Sequence, residues 1–300
     1  METYIRHCLE GDVLSAYHHL IGLHTKTDEQ HELIAKYKET FFTPNPTFSI
    51  NSNDTWVRGV VSAYYSYFIL VLTKQLSNKE AEQRLYQSLL VYVSGNPKDL
   101  NEVEEELEYT FNSKGFYFLG GYTLPFRGPY IWQKQEKKEY GVELPFSKQN
   151  LTIYLMDNFL MLSWLHFATF GVKSTGGWAK PDGLYCVRSR YGDTLETNEF
   201  QVTFLKHEAQ HVDDLEKYPN IQPWELEFRA KLVELIYGDS EKLLVKFMTE
   251  AKNNPDFPHL FASYKIKQEF GRLNGSSIRD FALELYKEHT IQLNVNKGTE

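Results

Sequence analysis

Three hundred residues carry 40 acidic against 32 basic side chains, a net charge of −8, and the basic residues stand singly or in pairs such as Lys137-Lys138; such a chain repels a phosphate backbone, which excludes nucleic acid as an expected partner. The 42% hydrophobic and 15% aromatic fractions exclude disorder, and the length allows one large core or two ordinary ones. The most apolar run, Tyr67 to Leu72, falls far short of the roughly 20 residues that span a bilayer, so no membrane segment is expected.

From Met1 to about Asn112 the pattern is helical, broken by turn signals at Thr43-Pro44-Asn45-Pro46 and Ser94-Gly95-Asn96-Pro97. Trp56, Val60, Val61, Tyr64, Tyr65, Phe68 and Leu72 recur at helical spacing and predict one wide apolar face for packing. The acidic cluster Glu102 to Glu108 reads as a solvated helix face. Residues 1–113 are therefore expected to form an N-terminal helical region, and residues 114–300 a second domain.

Between about Gly115 and Arg190 the chain becomes β-rich: Phe116 to Leu119, Val142 to Leu144, Leu151 to Leu155 and Leu184 to Arg188 read as strands. A helix is expected at about 157–170, and Gly176-Gly177-Trp178 reads as a loop. Helix returns from about Thr197 to Thr290, with Pro219 closing the first segment, Pro223 opening the second and Gly238 ending it. The tail from Asn294 is expected to fray. The fold class predicted is α+β, mostly helical, with a small mixed or antiparallel sheet in the middle that precedes a metal-binding helix.

That helix, about 197–217, carries His207-Glu208-Ala209-Gln210-His211. Histidines four positions apart project from one face and can meet a single tetrahedral zinc ion. Glu208 lies too far round the helix to be a ligand but can reach a water in the open position and act as general base. A comparison within the chain is instructive: His31-Glu32 begins in the same way but has Ala35 where the second ligand is needed. The loose group His18, His19 and His24 lacks the four-residue step altogether.

Zinc requires a third protein ligand. Three carboxylates follow, Glu225, Glu227 and Glu234, and Glu227 is the choice because sixteen residues beyond His211 leave room for a helix end, a turn and an antiparallel helix, with small Ala230 allowing close approach. Glu225 and Glu234 remain open as ligands, and Glu234 could instead support a ligand from behind. Asp213 and Asp214 either orient a ligand or cap the helix end.

Over about Phe200 to Leu235 the sequence resembles the gluzincin type of zinc metallopeptidase, the group that includes thermolysin, in which a His-Glu-x-x-His helix precedes a helix donating a glutamate. The resemblance implies zinc on His207, His211 and Glu227, Glu208 as general base, and hydrolysis of peptide or protein substrates. It also implies an upstream strand that pairs with extended substrate, for which Leu184 to Arg188, taken as an edge strand, or Leu151 to Leu155 is expected to serve. One departure is Lys231, where many thermolysin-like enzymes have an aspartate supporting the first histidine. The metzincin pattern fits worse, since its glycine and third histidine would fall at Asp214 and Lys217.

An oxyanion donor is needed too, and Tyr185, Arg188, Arg190, Tyr237, His259, Tyr264 and His289 are the candidates. Cys8 and Cys186 match no metal or redox spacing and read as free thiols, and the first residues carry no secretory pattern, so a cytoplasmic protein is expected. The competing readings are a metal-dependent hydrolase of non-peptide substrates and a non-catalytic zinc-binding helical interaction protein.

Overall fold

The computed structural model describes residues 2–44, 46–192, 194–272 and 275–297. Helix dominates the first stretch, as α1 (Glu2–Leu9), α2 (Val13–Ile21), α3 (Asp28–Phe41), α4 (Thr55–Leu72), α5 (Asn78–Leu89) and α6 (Leu100–Ser113). Local chemistry starts several of them. Thr27 with Gln30, and Ser77 with Glu80, form capping boxes on α3 and α5, while the Asp54 and Asp99 carboxylates accept from the first free N–H groups of α4 and α6. The apolar face expected on α4 packs inward, with Val60, Val61, Tyr64, Phe68 and Leu72 buried and Trp56 and Tyr65 half-buried.

The acidic run on α6 is only partly solvated. Leu100, Val103, Leu107 and Phe111 are the buried stripe of this helix, and Glu104 falls on that same face. Its carboxylate accepts from Arg127 Nη1 at 2.6 Å, from the Tyr64 hydroxyl at 2.8 Å and from the Gly121 N–H at 2.8 Å, so a buried charge is satisfied three times over.

Seven strands and one helix follow: β1 (Tyr117–Leu119), β2 (Tyr122–Thr123), β3 (Phe126–Arg127), β4 (Tyr130–Glu143), β5 (Lys148–Leu162), α7 (Ser163–Ala168), β6 (Gly177–Lys180) and β7 (Gly183–Val187). β2 pairs with β3, and the rest form one mixed sheet in the order β1-β4-β5-β7-β6. Three expectations are corrected here. The helix expected at 157–170 is strand as far as Leu162, and only Ser163–Ala168 is helical. Ser163 takes φ +61°, which turns the chain out of the strand. Gly176-Gly177-Trp178 is not a free loop, because Gly177 and Trp178 pair with Cys186 and Tyr185 in β6 and β7. A side chain at Gly177 would meet the Tyr185 carbonyl at 2.2 Å, so the residue that suggested a loop is what this pairing requires. Finally, Leu184 to Arg188 is not an edge strand, since β7 lies between β5 and β6; Leu151 to Leu155, in β5, is also internal.

Helix returns after Thr197, whose hydroxyl accepts from the Phe200 N–H. The chain runs through α8 (Asn198–Phe200), a π-helical stretch Gln201–Lys206, α9 (His207–Lys217), α10 (Pro223–Tyr237), α11 (Ser240–Glu250), α12 (Pro258–Glu269) and α13 (Ile278–Lys297). Pro223 opens α10 and Gly238 caps it, as the sequence predicts. The expected fraying at Asn294 is not seen through Lys297, and residues 298–300 lie outside the described part. The fold is α+β and mostly helical.

Contacts divide the chain into two compact units, residues 1–136 with 156–176 and residues 137–155 with 177–300. The expected boundary at 113/114 falls inside the first unit, because the β segment contributes Phe116, Phe118, Ile131, Met161 and Trp164 to the helical core. In the second unit, Ile153 and Leu155 of the sheet pack with Phe200, Leu232, Leu235, Ala262 and Leu285 of the helices. Cys8 and Cys186 are both buried and free. Among the described residues no helix is long and apolar enough to cross a membrane.

Candidate metal centre

Two helices of the second unit build the site. α9 presents His207 and His211 one turn apart, and the π-helical stretch immediately before His207 is a feature that concentrates at functional sites. α10 is buried almost all round from Phe228 to Leu235, so any polar side chain there needs a partner. Arg229, Lys231 and Glu234 each have one.

His207 Nε2 and His211 Nε2 face each other at 3.0 Å. Glu227 closes a triangle, its Oε2 lying 3.6 Å from His207 Nε2 and its Oε1 3.7 Å from His211 Nε2. One ligand atom from each of these residues lies within 4.8 Å of the others. A tetrahedral ion with bonds of 2.0–2.1 Å separates its ligand atoms by roughly 3.3 Å, so two imidazoles and one carboxylate at these spacings suit zinc.

The lone pairs also point the right way. His207 Nδ1 lies 2.7 Å from Glu234 Oε1, so Nδ1–H donates to that buried carboxylate and Nε2 is left as the ligand atom. The first histidine is thus supported by Glu234 and not by the residue at position 231. His211 Nδ1, in contrast, is buried with no hydrogen-bond partner among the described residues.

Charge in the cluster follows from this packing. Burial depresses the imidazolium of His211, with His207 beside it, to about 4, so His211 is neutral and ready to donate its lone pair. Burial is the largest influence on His207 and works against its charged form, but the Glu234 hydrogen bond together with the charges of Glu234, Glu208 and Glu227 outweighs it and raises that group. For Glu227, burial is outweighed by the His259 hydrogen bond and the neighbouring imidazoles, which hold its carboxyl at about 2. Glu208 is pushed upward by burial, and the charges of Glu227 and Glu234 add to the effect. No hydrogen bond is among the influences on Glu208, and Tyr191 lies close enough to feel its charge.

The remaining carboxylates take other work. Glu225 accepts the Gln222 N–H at 3.1 Å in a capping box and lies 3.3 Å from His289 Nε2, away from the histidine pair. Asp214 neither orients a ligand nor caps through its side chain: fully buried, it accepts from Arg229 Nε at 2.7 Å and ties α9 to α10. Asp213 accepts from Lys217 at 2.7 Å and from Gln149 at 3.0 Å.

Among the candidate oxyanion donors, Tyr185 donates to Asp182, Tyr264 accepts from Gln268 and His289 meets Glu225. His259 reaches the cluster, bonding Glu227 Oε2 through Nδ1 at 2.9 Å. Sequence spacing had no means of singling it out, because it arrives on α12, thirty-two positions from Glu227.

The geometry gives a discriminating expectation for the third ligand. Glu227→Gln should weaken zinc binding by more than the roughly 10–100-fold that loss of a supporting residue costs, whereas Glu225→Gln should leave it unchanged. Glu234→Gln should fall between them. Chelator competition on the three purified variants reads the order, and metal loss in Glu225→Gln alone would overturn the assignment.

Comparison with protein-family models, with curated proteins and with solved structures finds no match for this chain.

Proposed function

We propose that this protein is a zinc-dependent hydrolase, and specifically a peptidase, with His207, His211 and Glu227 as the metal ligands and Glu208 as general base. The observation that carries the reading is the convergence of two imidazole Nε2 atoms and one carboxylate beside a half-buried glutamate that no hydrogen bond engages among the described residues. Three protein ligands with a base next to the first is the arrangement of a catalytic site, whereas a structural zinc site is closed by four. Zinc, when bound, supplies the Lewis acidity that polarises a carbonyl and acidifies a water.

The chain's own groups do the rest. Glu208 takes a proton from the attacking water at its carboxylate and passes it to the leaving amine. Its burial makes the carboxylate a stronger proton acceptor than a solvated one. Glu234 holds the His207 ring in one tautomer, so that its Nε2 is aimed at the ion. We further propose a cytoplasmic setting, on the two free, buried cysteines.

Protein purified without added metal should contain near-stoichiometric zinc and should cleave members of a mixed peptide library. A chelator should abolish the cleavage and added zinc restore it. Zinc-loaded protein that cleaves ester or amide substrates outside the peptide class, and no peptide, would move the assignment to another hydrolase. Protein that neither contains nor takes up zinc would end it.

A further inference from the structure

Glu227 Oε2, which lies 3.6 Å from His207 Nε2, is also engaged by a chain of polar groups that a metal site of three ligands does not by itself require. Lys231, fully buried, extends its ammonium to Glu250 Oε1 at 2.6 Å and to His259 Nε2 at 3.1 Å, and lies 4.1 Å from the centre of the Phe247 ring. Glu250 Oε1 also accepts from the Ser263 hydroxyl at 2.7 Å. His259 Nδ1 is 2.9 Å from Glu227 Oε2.

The direction of this chain follows from which atoms can donate. A lysine ammonium has donors only, so His259 Nε2 accepts from Lys231 and carries no proton. The ring proton then sits on Nδ1, which donates to Glu227. The order runs from Glu250 on α11 through Lys231 on α10 and His259 on α12 back to Glu227 on α10. Burying an ammonium is costly unless it is paired, and Glu250 alone meets that need. The second contact, to His259, is therefore free to serve the ligand.

We propose that His259, held in one tautomer by the buried Lys231, is a positioning residue that engages Glu227 Oε2 and thereby fixes the carboxylate beside the two imidazoles. The inference rests on the zinc-site reading above. Its consequence is functional: with Oε2 held by His259, the carboxylate stays turned toward His207 and His211 instead of swinging to solvent, so the three ligand residues remain converged. Both ring nitrogens of His259 are committed, so it is removed from the candidate oxyanion donors.

The test uses the full chain, zinc affinity measured by chelator competition, and the visible absorption of the cobalt(II)-loaded protein, which is stronger for four-coordinate than for five-coordinate ions. His259→Phe should lower zinc affinity about 10–100-fold and alter the cobalt bands as the carboxylate loses its fixed orientation. His259→Asn, whose amide N–H can stand in for Nδ1–H, should recover most of both. Lys231→Met combined with Glu250→Gln, which removes the two charges together, should change the cobalt spectrum in the same sense as His259→Phe. The His259 side chain is 48% exposed, so the ion-free variants should melt as the parent does. A His259→Phe protein with parental affinity and spectrum overturns the proposal, as does an asparagine variant no better than the phenylalanine one. A parent protein that binds neither zinc nor cobalt one-to-one would instead overturn the metal centre on which the proposal stands.

Discussion

Glu208→Gln is expected to keep its zinc, keep its melting temperature and lose its hydrolysis. The change preserves size and shape, the residue makes no hydrogen bond among the described residues that the amide would break, and the amide cannot accept a proton at neutral pH. Loss of general acid–base assistance costs about 10²–10⁴ in rate, equivalent to roughly 3–5 kcal/mol of transition-state stabilisation. The loss should appear in kcat rather than in KM, because Glu208 acts on the proton in flight and not on the bound ground state. His207→Ala offers the contrast, since it removes a ligand and with it the stabilisation that bound metal lends to the folded state. Metal content, melting and turnover measured side by side read both variants. A Glu208→Gln protein that still cleaves at the parental rate would remove this residue, and most of the proposed mechanism, from consideration.

Arg229→Met is expected to destabilise the second unit by about 3–5 kcal/mol, the cost of stranding one member of a buried ion pair. Arg229 Nε donates to the fully buried Asp214 at 2.7 Å, its Nη1 donates to Thr290 at 2.9 Å, and the guanidinium lies 4.1 Å from the centre of the Tyr286 ring. Methionine fills much of the space but leaves the Asp214 carboxylate in a dry environment without its partner. Burial already pushes Asp214 upward, with Arg229 opposing it, so the variant should fold best when that carboxyl is protonated and lose stability as the pH rises. The double variant Arg229→Met with Asp214→Asn should recover part of the loss, because no uncompensated charge remains. Urea denaturation reads the difference. A single variant within 1 kcal/mol of the parent, on the scale of an exposed pair, would mean that the pair is not what registers α9 against α10.

That registry bears directly on the site. Asp214 lies one turn beyond His211 and Arg229 two positions beyond Glu227, so the ion pair fixes the helix that carries His207 and His211 against the helix that carries Glu227. Sequence reading left Asp214 as a capping or orienting residue because burial cannot be read from a residue's type. An aspartate near a helix end has the same signature whether it faces solvent or an arginine on the next helix. Glu104 teaches the same lesson in the first unit, where a run of glutamates looked like a solvated face although one of them lies on the inward stripe of α6.

Errors in the sheet have a different origin. Strand β6 has four residues, too few for alternation to show, and its glycine is there because the Tyr185 backbone passes where a side chain would stand. The residues from Asp157 to Leu162 suit strand as well as helix, and pairing with the rest of the sheet rather than local preference settled the choice. With β6 outside β7, both strands expected to accept extended substrate turned out to be internal.

The sequence by itself determined which residues are candidate ligands and which helix carries them. A four-residue histidine step, a proline at the start of α10 and a glycine at its end are local features, and they act through backbone geometry that neighbouring residues impose. It also determined that the chain is mostly helical, since periodicity over ten to twenty residues is set by burial of one face. Only the tertiary structure brings Glu227, rather than Glu225 or Glu234, to the pair of imidazoles, because that depends on how α10 rolls against α9. Glu227 comes within 3.7 Å of both imidazoles, Glu234 lies behind His207 at 2.7 Å, and Glu225 is drawn off to its own helix cap and His289. The Lys231 and His259 pair beside Glu227 belongs to the same class of fact, joining α10 and α12 through hydrogen bonds whose partners no spacing in the chain connects.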